Sequence, residues 1–145
     1  MRTIYPYDAF EIVRMMQAVR IESPTYAYTE NDPEFVENNL MDLITAGLIV
    51  GVIEPDKGVM IGGIGNSWYS RRREAHEQLL YVSPPHRGGL LAVRLIKAFE
   101  VVCREAGAEV IHAGASTGLS EDRTVNLYSR LGYSIGSPTL TKGLI

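Results

Sequence analysis

Residues 83–96 read SPPHRGGLLAVRLI. A polar, proline-rich turn carrying Arg87, Gly88 and Gly89 passes without a break into an apolar run, and the β-rich segment EQLLYV stands just before it. A strand that delivers its chain into a glycine turn and then a helix is a layout for holding phosphate. The first N–H groups of the helix have no partner within it, and its dipole favours an anion there. Glycines let a ligand approach the backbone because no Cβ intervenes, and an arginine can grip a phosphate with paired hydrogen bonds. The turn fits neither GxxxxGK[ST] nor GxGxxG, which argues against P-loop nucleotide hydrolases and Rossmann dinucleotide enzymes. On these grounds alone, an ordinary glycine loop before a core helix stands as an equal reading.

Other residues with chemical potential read more blandly. His112 lies mid-strand in AEVIHAG, where a core or cleft-wall histidine is expected. Cys103 sits on the apolar stripe of a helix and reads as a small buried hydrophobe. It is the single cysteine, so no disulfide can form within the chain, and there is no CxxC or Cys/His metal pattern. Arg71, Arg72 and Arg73 read as a solvated connection, too few to bind nucleic acid.

The elements that must position the turn follow from patterning. A short strand in RTIYPY leads to a helix over about 9–20, with Asp8 as its N-cap and Phe10, Val13 and Ala18 on one face. PEFVENNLMDLITAG reads as a second helix, with Pro33 in its first turn, Phe35, Leu40, Leu43 and Ile44 on one side, and Gly47 as its stop. LIVGVIE and GVMIGGIGNSWY form a hairpin across PDKG. EQLLYV is the next strand, after SRRREAH as a connection. The helix over 88–106 carries Ala92, Leu95, Ile96, Phe99, Val102, Cys103 and Ala106 at helical spacing and ends at Gly107. AEVIHAGA is a strand, EDRTVNLYSRLG a short helix, and YSIGSPTLTKGLI a closing β segment. The order is β-α-α-β-β-β-α-β-α-β, a mixed α/β (α+β) fold with a largely antiparallel first half and a parallel crossover around residues 79–114.

The 145 residues suffice for one domain, residues 1–145, with a sizeable core. A net charge of −3 offers no field to recruit nucleic acid or an anionic membrane. No apolar run approaches the ~20 residues that span a bilayer. The expectation is a soluble cytoplasmic protein with no nucleic-acid, membrane or metal partner.

LLYVSPPHRGGLLAVRLIKAFE resembles the acyl-CoA-binding segment of the GCN5-related N-acetyltransferase (GNAT) superfamily, whose pattern is V-x-P-x-x-R-G-x-G-[IL]-[GA] with a leucine three residues on. Val82, Pro84, Arg87, Gly88, Leu91, Ala92 and Leu95 fall on it. The second family glycine falls at Leu90, and this chain has its glycine one residue earlier, at Gly89. NLYSRLGY resembles the family ending Y-x-x-x-G-[FY] through Tyr128, Leu131, Gly132 and Tyr133, while the asparagine common seven residues upstream is Glu121. Within the superfamily, the phrasing is most similar to small bacteriophage-encoded members.

The resemblance implies a mostly antiparallel central sheet with a splayed strand pair and helices on both faces. It implies acetyl-CoA as acyl donor, its pantetheine along Leu80, Tyr81 and Val82 and its pyrophosphate on Arg87, Gly88, Gly89, Leu90, Leu91 and Ala92. An amine, small or on a protein, would attack the thioester directly. Tyr128 would donate to the departing thiolate, and a phenol of pKa ~10 is protonated for that task at neutral pH. The base is assigned to Glu77 over its neighbour His76 or a water chain, because only one of two adjacent strand residues can face the cleft. Tyr26 and Tyr28, with Glu30 and Asp32 near them, would wall the acceptor site, and homodimerisation is left open. Two other readings stand beside this one: a GNAT-fold module that binds acyl-CoA or a partner without turnover, and an interaction module that inhibits a host factor.

Overall fold

A computed structural model describes residues 1–23, 29–114, 121–136 and 140–144. Five strands form one sheet in the order β1 (Arg2–Thr3), β2 (Ile49–Glu54), β3 (Gly58–Asn66), β4 (Arg73–Val82) and β5 (Val110–His112). Neighbours are antiparallel except β4 and β5, which run parallel. Helices α1 (Ala9–Glu22) and α2 (Pro33–Thr45) pack on one face, around Ile12, Val13, Val19, Leu40, Ile53, Val59, Leu79 and Tyr81. Helices α3 (Leu91–Glu105) and α4 (Glu121–Arg130) pack on the other, around Met60, Ala75, Leu95, Ile96, Phe99, Cys103 and Tyr128. The alternation of Val59, Met60 and Ile61 between the two cores is the period-2 geometry of a strand covered on both sides. This is the mixed, mostly antiparallel sheet with helices on both faces that the sequence predicts.

Helix ends follow local chemistry. The Asp32 carboxylate accepts from the Phe35 N–H at 3.1 Å and caps α2. Gly47, at φ 72°, closes that helix with Leu48 N–H donating to the Leu43 carbonyl. Asp8 stands at the N-cap of α1 but does not cap it. Its buried carboxylate instead accepts two hydrogen bonds from Arg2, each 2.8 Å, and one from the Tyr5 N–H.

Several expectations are corrected. Phe10 and Phe35 are both 61% exposed, because the stripe that meets the sheet runs through Ile12, Val13, Met15 and Val19 in α1 and through Leu40 in α2. β4 begins at Arg73, so Glu74, Ala75 and His76 are strand residues and not a connection. The long helix begins at Leu91, three residues after the predicted start, because residues 84–86 form a 3-10 turn and the chain from Arg87 to Leu90 is still turning. Trp68 and Tyr69 lie beyond the end of β3 instead of within the strand, and Trp68 is almost fully exposed. Among the described residues after α4 there is no strand. Among the described residues no helix is long and apolar enough to cross a membrane.

Candidate active site

β4 and β5 pair for three residues only: Glu74 with Val110, Ala75 with Ile111 and His76 with His112. β4 then continues for six residues to Val82, while β5 ends. The strands therefore part after His76, and among the described residues that edge of β4 has no strand partner from Glu77 on. This is the splayed pair that the sequence predicts.

A bulge sits at the same place. Ile61 opposes Leu79 and Gly62 opposes Glu77, so Gln78 is an extra residue in β4. One extra residue reverses the alternation of faces beyond it. Ala75 and Glu77 before the bulge, and Leu80 and Val82 after it, consequently share the α3 side. His76 points to the opposite face, where its ring stacks on His112. Of the two candidate bases, only Glu77 reaches the cleft.

Glu77 is half-buried there, and the Gly114 N–H donates to its carboxylate at 3.2 Å. Burial pushes its pKa up from 4.5 to about 7, against the lowering effect of the Gly114 hydrogen bond.

Tyr128 of α4 is buried in the core on the same side of the sheet, close enough to Glu77 to feel its charge, and is not among the residues that line the cavity beside β4. Its hydroxyl is buried and has no hydrogen-bond partner among the described residues. Burial, then the charge of Glu77, then Tyr133 raise its proton affinity far above that of an ordinary phenol, so it stays protonated. The spacing Tyr128–Gly132–Tyr133 has a physical origin. Gly132 takes φ 94°, which lets the Tyr133 N–H return to the Tyr128 carbonyl at 3.0 Å and closes α4. The two rings meet edge to face at 4.9 Å, and the Tyr133 hydroxyl donates to Glu100.

Between β4, the glycine turn and α4 lies a cavity of ≈ 620 Å³. Of the predicted cofactor residues, Leu80, Tyr81, Val82, Arg87, Gly88, Gly89, Leu90 and Ala92 line it. Leu91 does not: its side chain packs into the α3 core beside Gly58. The glycine requirement falls at Gly88, φ 86°, whereas Leu90 is the N-cap of α3 at φ −95° and ψ 0°, a backbone open to any residue. Leucine in place of the family's second glycine thus strains nothing, and its 73% exposed side chain stands at the cavity mouth. Arg87 is already engaged, with Nε donating to the Val82 carbonyl at 2.8 Å and Nη2 donating to the Glu22 carboxylate at 3.3 Å. It braces the turn against β4 and α1.

Among the lining residues that the sequence reading missed are two arginines, Arg123 and Arg130 of α4. Their i, i+7 spacing puts them on one helix face, and that signal was present in the sequence. Tyr26 and Tyr28 lie outside the described residues. Cys103 is fully buried, and burial pushes its thiol up to about 12, as an inert core residue requires.

The Acetyltransferase (GNAT) family model matches residues 15–133. The chain belongs to the GNAT family of acetyltransferases, whose acyl donor is acetyl-CoA. It is similar in structure to an aminoglycoside acetyltransferase from an uncultured soil metagenomic sample, at TM-score 0.73 and 18% identity over 99% of this chain and 97% of that one. It is also similar to a predicted acetyltransferase of Clostridium acetobutylicum with acetyl-CoA, at TM-score 0.76 and 13% identity over 99% and 94%. A third similar structure is AAC(6')-Iy in complex with the bisubstrate analogue CoA-S-monomethyl-acetylneamine, at TM-score 0.75 and 11% identity over 97% and 94%. A comparison with curated protein sequences finds no match.

Proposed function

We propose that this protein transfers the acetyl group of acetyl-CoA to a primary amine by direct attack, with Glu77 as base and Tyr128 as acid. One observation carries the reading: Glu77, a carboxyl that burial raises to about 7, lines the cavity where β4 leaves β5, and Tyr128, buried on the same side of the sheet with no partner for its hydroxyl among the described residues, lies near enough to feel its charge. The carboxylate form of Glu77 takes a proton from the amine as nitrogen bonds to the acetyl carbon. The C–S bond then breaks, and the Tyr128 hydroxyl supplies the proton that the sulfur gains. A base is most useful with its pKa near the working pH, and an acid must be protonated before it acts; the two groups meet these needs.

The donor fits the residues present. The edge of β4 from Leu80 to Val82, which no strand among the described residues covers, suits an amide-bearing chain. The amides of Gly88 to Ala92 stand at the N-terminus of α3, where a pyrophosphate is favoured. Arg123 and Arg130 add positive charge from the opposite wall. Arg87 serves by holding the turn in place. Tyr26 and Tyr28, in the connection between α1 and α2, are assigned the acceptor wall.

The test is thiol release from acetyl-CoA with a panel of amines that includes an aminoglycoside and a peptide N-terminus. Turnover that depends on Glu77 and Tyr128 supports the proposal. A rise in melting temperature with acetyl-CoA but no thiol release with any amine would instead make this a GNAT-fold binding module.

A further inference from the structure

On the face of the sheet opposite Glu77, the last paired residues of β4 and β5 are both histidines. His76 and His112 are register partners on adjacent parallel strands, and their rings stack at 4.7 Å with 19° between planes. Two residues before His76, on the same face, Glu74 directs one carboxylate oxygen at both rings. Its Oε2 lies 3.4 Å from His76 Nε2 and 3.6 Å from His112 Nε2. The Ser67 hydroxyl donates to that same carboxylate at 2.6 Å. Glu74 is buried, while the imidazoles are half exposed, with 58% and 50% of their side chains open to solvent.

Three donors brought together, two imidazole nitrogens and one carboxylate oxygen, form a recognised transition-metal set. Bonds of about 2.0–2.1 Å to a tetrahedral ion set neighbouring donors about 3.4 Å apart, and the two Glu74–histidine separations already match this. All three donor atoms lie within 4.8 Å of one another, so only the histidine nitrogens need to close further, by tilting exposed rings. The nitrogen donors disfavour Mg²⁺ and Ca²⁺, which take oxygen ligands. The serine that anchors Glu74 is the kind of outer partner that orients a metal-binding carboxylate.

We propose that Glu74, His76 and His112 form a Zn²⁺ site, with water completing the shell on the open side. An ion there ties β4 to β5 at the final pair before the strands part, one residue from Glu77 and two from Gly114. It pins the vertex of the gap from behind. The site rests on the register of β4 and β5 and stands whether or not the cleft transfers an acyl group.

The test is Zn²⁺ titration of chelator-treated protein against a chromophoric competitor, followed by histidine side-chain NMR. One equivalent is expected to bind, shifting the ring nitrogens of His76 and His112 and leaving those of His86 in place. His76→Ala and His112→Ala remove exposed ligands and should each weaken binding by more than the roughly 10–100-fold typical of an outer-shell change. Zn²⁺ should raise the melting temperature of the parent protein and leave that of the folded double variant unmoved. The absence of stoichiometric binding would overturn the site. So would equal binding by the double variant, or loss of binding on substitution of His86.

Discussion

The Gly114 N–H donates to the Glu77 carboxylate at 3.2 Å, bridging the chain after β5 to β4 just beyond the point where their ladder ends. The bond holds the carboxyl at the vertex of the gap, and burial there places its pKa at about 7.

Acetyl transfer should therefore follow the ionisation of Glu77. The carboxylate is the active form, so kcat/KM rises with pH through about 7 and levels above it. Glu77→Gln should remove that inflection and lower kcat by about 10²–10⁴-fold, the usual span for a lost general base. A pH–rate profile of both proteins measures this. An inflection that survives in the variant would reassign the base.

The same group predicts a stability trade. A carboxyl that binds its proton more tightly folded than unfolded stabilises the fold while protonated. That contribution is complete below about 4.5 and is lost as pH rises through about 7. Glu77→Gln, which never ionises, should melt at a higher temperature than the parent at pH 8. The difference should shrink towards pH 5, as scanning calorimetry at both values would reveal.

Tyr128→Phe should separate chemistry from fold. The hydroxyl is buried with no partner among the described residues, so its removal breaks no hydrogen bond with them, and stability should hold or rise slightly. Acetyl-CoA affinity should change little while kcat falls by about 10²-fold or more. A variant with unchanged kcat would end the acid assignment.

Gly132→Ala forces a Cβ into a backbone at φ 94° and should cost about 1–2 kcal/mol in urea unfolding. Loss of activity should accompany it, because that turn seats Tyr133 against Tyr128.

Arg123→Ala and Arg130→Ala should raise the KM for acetyl-CoA several-fold and flatten its salt dependence, since each removes an exposed positive charge from the cavity wall. If the KM and its salt dependence stay as in the parent, the phosphates lie against the α3 turn alone.

What was legible in the sequence was what the backbone decides locally. Gly47, Gly107 and Gly132 mark helix ends because each occupies a positive φ that other residues resist. The turn at Arg87–Gly89 could be read for the same reason, whereas Tyr128 stood out only through the resemblance of NLYSRLGY to the family ending. The buried faces of α1 and α2 were only half legible. Phe10 and Phe35 are apolar and correctly spaced, yet which stripe is buried depends on the angle at which the helix meets the sheet.

The order of elements from β1 to α4, the glycine turn and the family motifs follow from residues a few positions apart, and so were legible without the fold. The site itself depends on long-range packing. Which of His76 and Glu77 faces the cleft depends on strand register and on the extra residue at Gln78. Arg123 and Arg130 meet the turn only when α4 packs. His76 meets His112 only when β5 docks parallel to β4, thirty-six positions on in the chain. Such relationships depend on how distant segments align, and no local pattern of residues encodes that alignment.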